Sequence, residues 1–96
     1  MFDVLVTEDF AFRAEVDEYA QVNLHMEVSN WNKSVAKQVK KLFKDVKEGF
    51  RLEGFSHLYT ITPNPKFAKL LDGWEDRGGL DVDGKPHQVI VWELEV

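Results

Sequence analysis

The groups in this chain best suited to chemistry gather at one strand-to-helix junction. The run Ser29-Asn30-Trp31-Asn32-Lys33-Ser34 follows an alternating stretch, Gln21–Val28, and opens a helical pattern that continues to about Glu53. A helix that begins just past a strand end aims unpaired N–H groups and the positive end of its dipole at one spot, which suits a phosphate. Asn30, Asn32, the Ser34 hydroxyl and the ammonium groups of Lys33 and Lys37 surround that spot. Each can add a polar or charge-assisted contact to an anion. His25, His57 and His87 are scattered, with no cysteine and no HxH or HxxxH spacing, so no metal centre is expected.

The charge of the chain is unevenly spread. Residues 33–47 hold six lysines against one acid, Asp45, a local charge of +5, whereas the whole chain carries −5 and the remainder therefore −10. An acidic body with one basic helix is unlike a general nucleic-acid binder, which is usually basic overall. The lysines read as a solvated helix face or as a local anion contact. Aromatic residues are not interleaved with them, which argues against stacking on single strands.

The elements that must position the junction follow from hydrophobic spacing. Phe2–Val6 alternates and is expected to be a short strand. From Asp9 to Tyr19, Phe12, Val16 and Tyr19 recur at spacings of four and three, which predicts a short helix capped by Thr7 or Asp9, with a β-hairpin as the competing reading. In Gln21–Val28 the residues Val22, Leu24, Met26 and Val28 share one face, the mark of a half-exposed strand. Val35, Val39, Leu42, Val46 and Phe50 form the apolar stripe of the long helix, opposite its lysines, and Gly54 is its stop. Trp31 is expected to staple the start of that helix or to join a ligand surface.

Downstream, His57–Thr62 is a strand rich in aromatic and β-branched residues, broken by Pro63-Asn64-Pro65. A short helix over Pro65–Leu71, a Gly73-Trp74 corner, and strands Leu80–Val82 and His87–Leu94 joined at Asp83-Gly84 complete the reading. The unit from Gln21 to Thr62 should be a right-handed crossover joining two parallel strands. The expected class is α/β (α+β): a mixed, mostly antiparallel sheet with one parallel strand pair and a long crossover helix.

Ninety-six residues with 44% hydrophobic and 30% charged content suggest one small domain with a thin stability margin. The absence of cysteine excludes disulfides and thiolate chemistry. No apolar run is long enough to span a bilayer, and Met1-Phe2-Asp3 lacks a basic leader, so a cytoplasmic protein is expected. An exposed C-terminal strand would also invite a homodimer.

The order strand, loop, long helix, strand, short helix ending at Gly-aromatic, last strand resembles the cofactor-binding half of the GNAT N-acetyltransferases, particularly small GNAT-like proteins of bacteriophages. The residues that carry the likeness are His25-Met26-Glu27-Val28-Ser29-Asn30-Trp31, the helix Ser34–Phe50, Gly54, Leu58-Tyr59-Thr60 and Lys66–Trp74. The resemblance implies a minimal GNAT-like fold and acetyl-CoA as cofactor. It places Val28, Asn30, Asn32, Lys33, Ser34, Lys37 and Asn64 about that cofactor, Glu27 as base for an amine acceptor, and Tyr59 as acid for the leaving thiolate. If the source is viral, the setting is the host cytoplasm. The family's phosphate loop follows Q/R-x-x-G-x-G/A, whereas Ser29–Ser34 has no glycine, and its leaving-group tyrosine has no counterpart among Ala68, Lys69 and Leu70. Those departures, with the lack of most of the family's N-terminal half, point to an alternative: a catalytically silent protein that binds a protein partner.

Overall fold

The computed structural model describes residues 1–94. Six strands form one sheet: β1 (Phe2–Val6), β2 (Phe10–Val16), β3 (Val22–Val28), β4 (His57–Thr62), β5 (Trp74–Val82) and β6 (Lys85–Glu93), in the spatial order β1-β2-β3-β4-β6-β5. The helix α1 (Lys33–Leu52) crosses from β3 to β4, the single parallel pair; every other neighbouring pair is antiparallel. The mixed sheet and crossover helix expected from the sequence are therefore present.

α1 is positioned by two well-made ends. Asn32 is its N-cap, with extended backbone and Oδ1 accepting from the Val35 N–H at 2.9 Å. At the other end Gly54 takes φ +94°, its N–H bonds Arg51 O at 3.0 Å, and the Phe55 N–H bonds Phe50 O at 3.1 Å. This is a Schellman stop, and the Phe50 and Phe55 rings meet at 5.8 Å as the hydrophobic contact that accompanies it. Val35, Val39, Phe43, Val46 and Phe50 are the buried residues of the helix. The expected Leu42 is only partly buried; Phe43 takes the central place because it lies between Phe12, at 6.0 Å, and Trp92, at 5.1 Å.

The segment expected as a helix over Asp9–Tyr19 is instead β2 and the turn after it. Phe10, Phe12 and Ala14 alternate into the core, and this period of two prevails over the accidental spacing of Phe12, Val16 and Tyr19. Thr7, expected as a helix cap, closes the β1–β2 turn: its Oγ1 accepts from the N–H groups of Asp9 and Phe10. Asp17 closes the β2–β3 turn in the same manner, accepting from the Tyr19 and Gln21 N–H groups at 2.8 and 2.9 Å.

The expected helix Pro65–Leu71 shrinks to a 3-10 turn over Ala68–Leu70. Leu71 leaves the helical region because its side chain is buried and its carbonyl accepts from Trp92 Nε1 at 3.2 Å. β5 begins at Trp74, well before the expected Leu80, and β6 begins at Lys85. Asp83 and Gly84 both have positive φ, 50° and 79°, as a two-residue hairpin loop twisted to match its strands requires.

Candidate functional site

β3 and β4 lie side by side only at their starts. Their pairing is confined to Val22↔Leu58 and Asn23↔Tyr59. Beyond those positions β3 stays with β2 as far as Val28↔Phe10, and β4 stays with β6 as far as Thr62↔Gln88. Each strand follows its antiparallel neighbour, and a cleft of about 340 Å³ opens between them. His25, Met26 and Val28 line it from β3, Thr60 and Ile61 from β4, with Asn64 and Phe67 beyond the strand end.

The helix start stands beside this cleft. Trp31, half exposed, packs edge-on against Phe67 with ring centroids 5.4 Å apart, so it couples the segment that leads into α1 to the cleft wall. The Val35 N–H is taken by Asn32 Oδ1 and the Ala36 N–H by Asn32 O, which leaves the N–H groups of Lys33 and Ser34 for an anion. Lys33, Ser34 and Lys37 are exposed around them. Neither Asn30 nor Asn32 adopts left-handed backbone, so the glycine-free loop forms without strain of that kind.

The remaining expected residues have defined partners. Asn30 Nδ2 donates to Asp9 Oδ1 at 3.2 Å, while Asp9 O accepts from the Ser29 and Asn30 N–H groups, tying the junction to the β1–β2 turn. Asn64 Oδ1 accepts from the Lys66 N–H at 3.3 Å and starts the turn below the cleft. Glu27 lies on the polar face of β3, its carboxylate 2.7 Å from Arg13 Nη1; Arg13 also meets Asp3 at 2.9 Å. Tyr59 lies where β3 and β4 are still paired and lines a separate hollow with Asp17, His57 and Arg77. Its hydroxyl donates to Asp17 Oδ2 at 3.0 Å, and burial, aided by the Asp17 carboxylate, pushes the phenol up to about 12.

The cleft thus brings together Val28 and Asn64; Asn30, Asn32, Lys33, Ser34 and Lys37 stand outside its lining, as do Glu27 and Tyr59. His25, Thr60 and Thr62 are the polar side chains lining it that sequence reasoning did not select. Thr60 is buried. His25 Nε2 is shut off from solvent without a hydrogen bond, 3.5 Å from Glu15 Oε2. Its signal in the sequence was its place two residues before Glu27 on the same strand face. Among the described residues no group of three or more His, Asp or Glu side chains could hold a metal ion. No described helix is long and apolar enough to cross a membrane.

Solved acetyltransferase structures share this fold. The crystal structure of a candidate phosphinothricin N-acetyltransferase superposes with a TM-score of 0.62 at 16% identity, covering 91% of this chain and 60% of that one. A GNAT-family acetyltransferase from Streptococcus pneumoniae superposes with a TM-score of 0.55 at 14% identity, covering 90% of this chain and 58% of that one. The chain thus spans about 60% of the length of these two structures. No family model matches the sequence, and no curated protein matches it.

Proposed function

We propose that this protein binds an acyl-CoA, with acetyl-CoA the natural choice, and transfers its acyl group to an amine. The observation that carries the reading is the opening of β3 from β4 after two paired positions, beside a helix start with two free N–H groups and two lysines. The apolar walls Met26, Val28, Ile61 and Phe67 suit a narrow aliphatic arm. Lys33, Ser34 and Lys37 suit phosphate, with Asn32 holding the helix start in place. The bound cofactor supplies the activated acyl group; the chain's own work is to hold the phosphates, shield the cleft and accept the amine's proton.

Proton removal is assigned to the polar face of β3 that borders the cleft. His25 lines the cleft, and Glu27, the base expected from the resemblance, follows it in the alternation with Arg13 holding its carboxylate. Tyr59 serves as the acid only if it releases Asp17.

Calorimetric titration with acetyl-CoA and CoA tests the reading. Micromolar binding weakened roughly tenfold by Lys33→Ala or Lys37→Ala is expected, the worth of one good charged contact. Absence of binding at millimolar cofactor would sink it. His25→Gln and Glu27→Gln, assayed with a panel of primary amines, should leave cofactor affinity unchanged, and the one that lowers kcat carries the base. The second reading, a catalytically silent partner-binding protein, is favoured by the commitment of the Tyr59 hydroxyl to Asp17 and by the glycine-free loop.

A further inference from the structure

Between the β1 edge and the C-terminal half of α1 lies an apolar groove of about 640 Å³, separate from the cleft. Phe2, Val4 and Leu5 wall it on the strand side, and Leu42, Val46 and Phe50 on the helix side. Gly49 lies roughly 20 Å along the helix from Lys37 at the helical rise, so an occupant of the groove need not touch the phosphate seat.

Four features specify what would fit. β1 is the first strand of the sheet, so its outer edge offers backbone N–H and C=O groups to an added strand. A register shift between Asp3 and Leu5 lets both Val4 and Leu5 line the groove, where regular alternation would send one of them away. Gly49 sits within α1, where glycine costs about 1 kcal/mol relative to alanine. Nothing stands within 4 Å of where its Cβ would be, so the helix surface is lowered at the groove without any packing reason. Finally, the charged residues lining the groove are both acids, Asp45 and Glu53.

We propose that this groove binds an extended, basic segment of a partner protein. The segment adds to the β1 edge as a further strand, sets alternate apolar side chains over Gly49, and faces Asp45 and Glu53 with Lys or Arg. Main-chain bonding to an open edge, with pockets for alternate side chains, is an established mode of peptide capture. The charge complementarity selects a partner over a second copy of this chain. β5, the sheet's other edge strand, carries Glu75, Asp76 and Asp81 against Arg77 alone and would bring acids to acids. The proposal does not depend on acyl-CoA binding.

The experiment is selection of a displayed library of random linear heptapeptides against the full chain, followed by titration of the enriched peptide into 15N-labelled protein. Expected sequences alternate apolar residues and carry Lys or Arg. Their binding should shift the amide resonances of Phe2–Val6 and Gly49, and should weaken at least tenfold in Gly49→Trp and in the exposed pair Asp45→Lys with Glu53→Lys. The charge-reversed pair keeps the test decisive should the tryptophan variant fold poorly. Failure to enrich any groove-dependent peptide, enrichment of acidic peptides, or equal binding to both variants would overturn the proposal. Dimerisation abolished by Gly49→Trp would also overturn it, in favour of a second copy.

Discussion

Tyr59 Oη donates to Asp17 Oδ2 across 3.0 Å, joining β4 to the turn between β2 and β3 at the point where β3 and β4 begin to part. The same carboxylate accepts from the Tyr19 and Gln21 N–H groups, and the turn holds Ala20 at φ +59° without a glycine. The bond therefore braces the closed end of the cleft.

That brace has a pH signature at both extremes. The Tyr59 phenol titrates higher in the folded chain, at about 12, than its ordinary value of 10.0. Its contribution to stability is thus fully present below pH 10 and lost as pH rises toward 12. Asp17 is held below the ordinary carboxylate value, first by the Gln21 N–H, with Tyr59 and the Tyr19 N–H adding to it, so its contribution is present above that value and lost as the medium turns acid. Thermal melts of Tyr59→Phe should lie below wild type at neutral pH, with the gap closing between pH 10 and 12. Asp17→Asn should flatten the acid limb. A gap that stays constant with pH would contradict this assignment.

Gly49 and Gly54, five residues apart, should respond to alanine in opposite directions. Gly49 has helical backbone and open space around its Cβ position, so Gly49→Ala should stabilise by about 0.5–1 kcal/mol. Gly54 holds φ +94° in the helix stop, and Gly54→Ala should destabilise by about 1–2 kcal/mol. Urea unfolding of the two variants measures both signs in one experiment.

Trp92 is completely buried against Phe43, and its indole N–H donates to Leu71 O. Trp92→Phe removes ring volume and leaves that buried carbonyl without its donor. A loss of roughly 2–4 kcal/mol is expected from the two effects together. Loss below about 1 kcal/mol in equilibrium unfolding would mean that Leu71 finds another donor.

Asn32→Ala should cost about 1 kcal/mol, the usual worth of an N-cap side chain. It also frees the Val35 N–H at the proposed phosphate seat. Asn32→Asp should retain the cap while placing a carboxylate there, so it should preserve the melting temperature and weaken binding of CoA. Equal CoA affinity in wild type and Asn32→Asp would show that the phosphates lie elsewhere.

Local periodicity made much of this molecule legible. β3 and β4 could be read from alternating or β-branched residues, α1 from its stripe of apolar positions, and its stop from Gly54, because strand alternation and glycine stops depend on near neighbours in the chain. The same local logic failed at Asp9–Tyr19, where spacings of four and three coexist with the alternation of Phe10, Phe12 and Ala14. Pairing with β1 and β3 on both sides decided for the strand. Pro65–Leu71 likewise yielded to a distant partner, the Trp92 indole on the Leu71 carbonyl.

By itself the sequence determined the succession of β3, α1 and β4, the basic first turn and the absence of glycine at the junction. Only tertiary structure decided which polar groups meet. Glu27 went to Arg13, Tyr59 to Asp17, His25 into the cleft, and Gly49 under an open groove beside the β1 edge. The physical reason is that a strand's alternation places each side chain on one face of the sheet. Its neighbours on that face belong to strands remote in sequence, and their identity depends on register and on where parallel strands part.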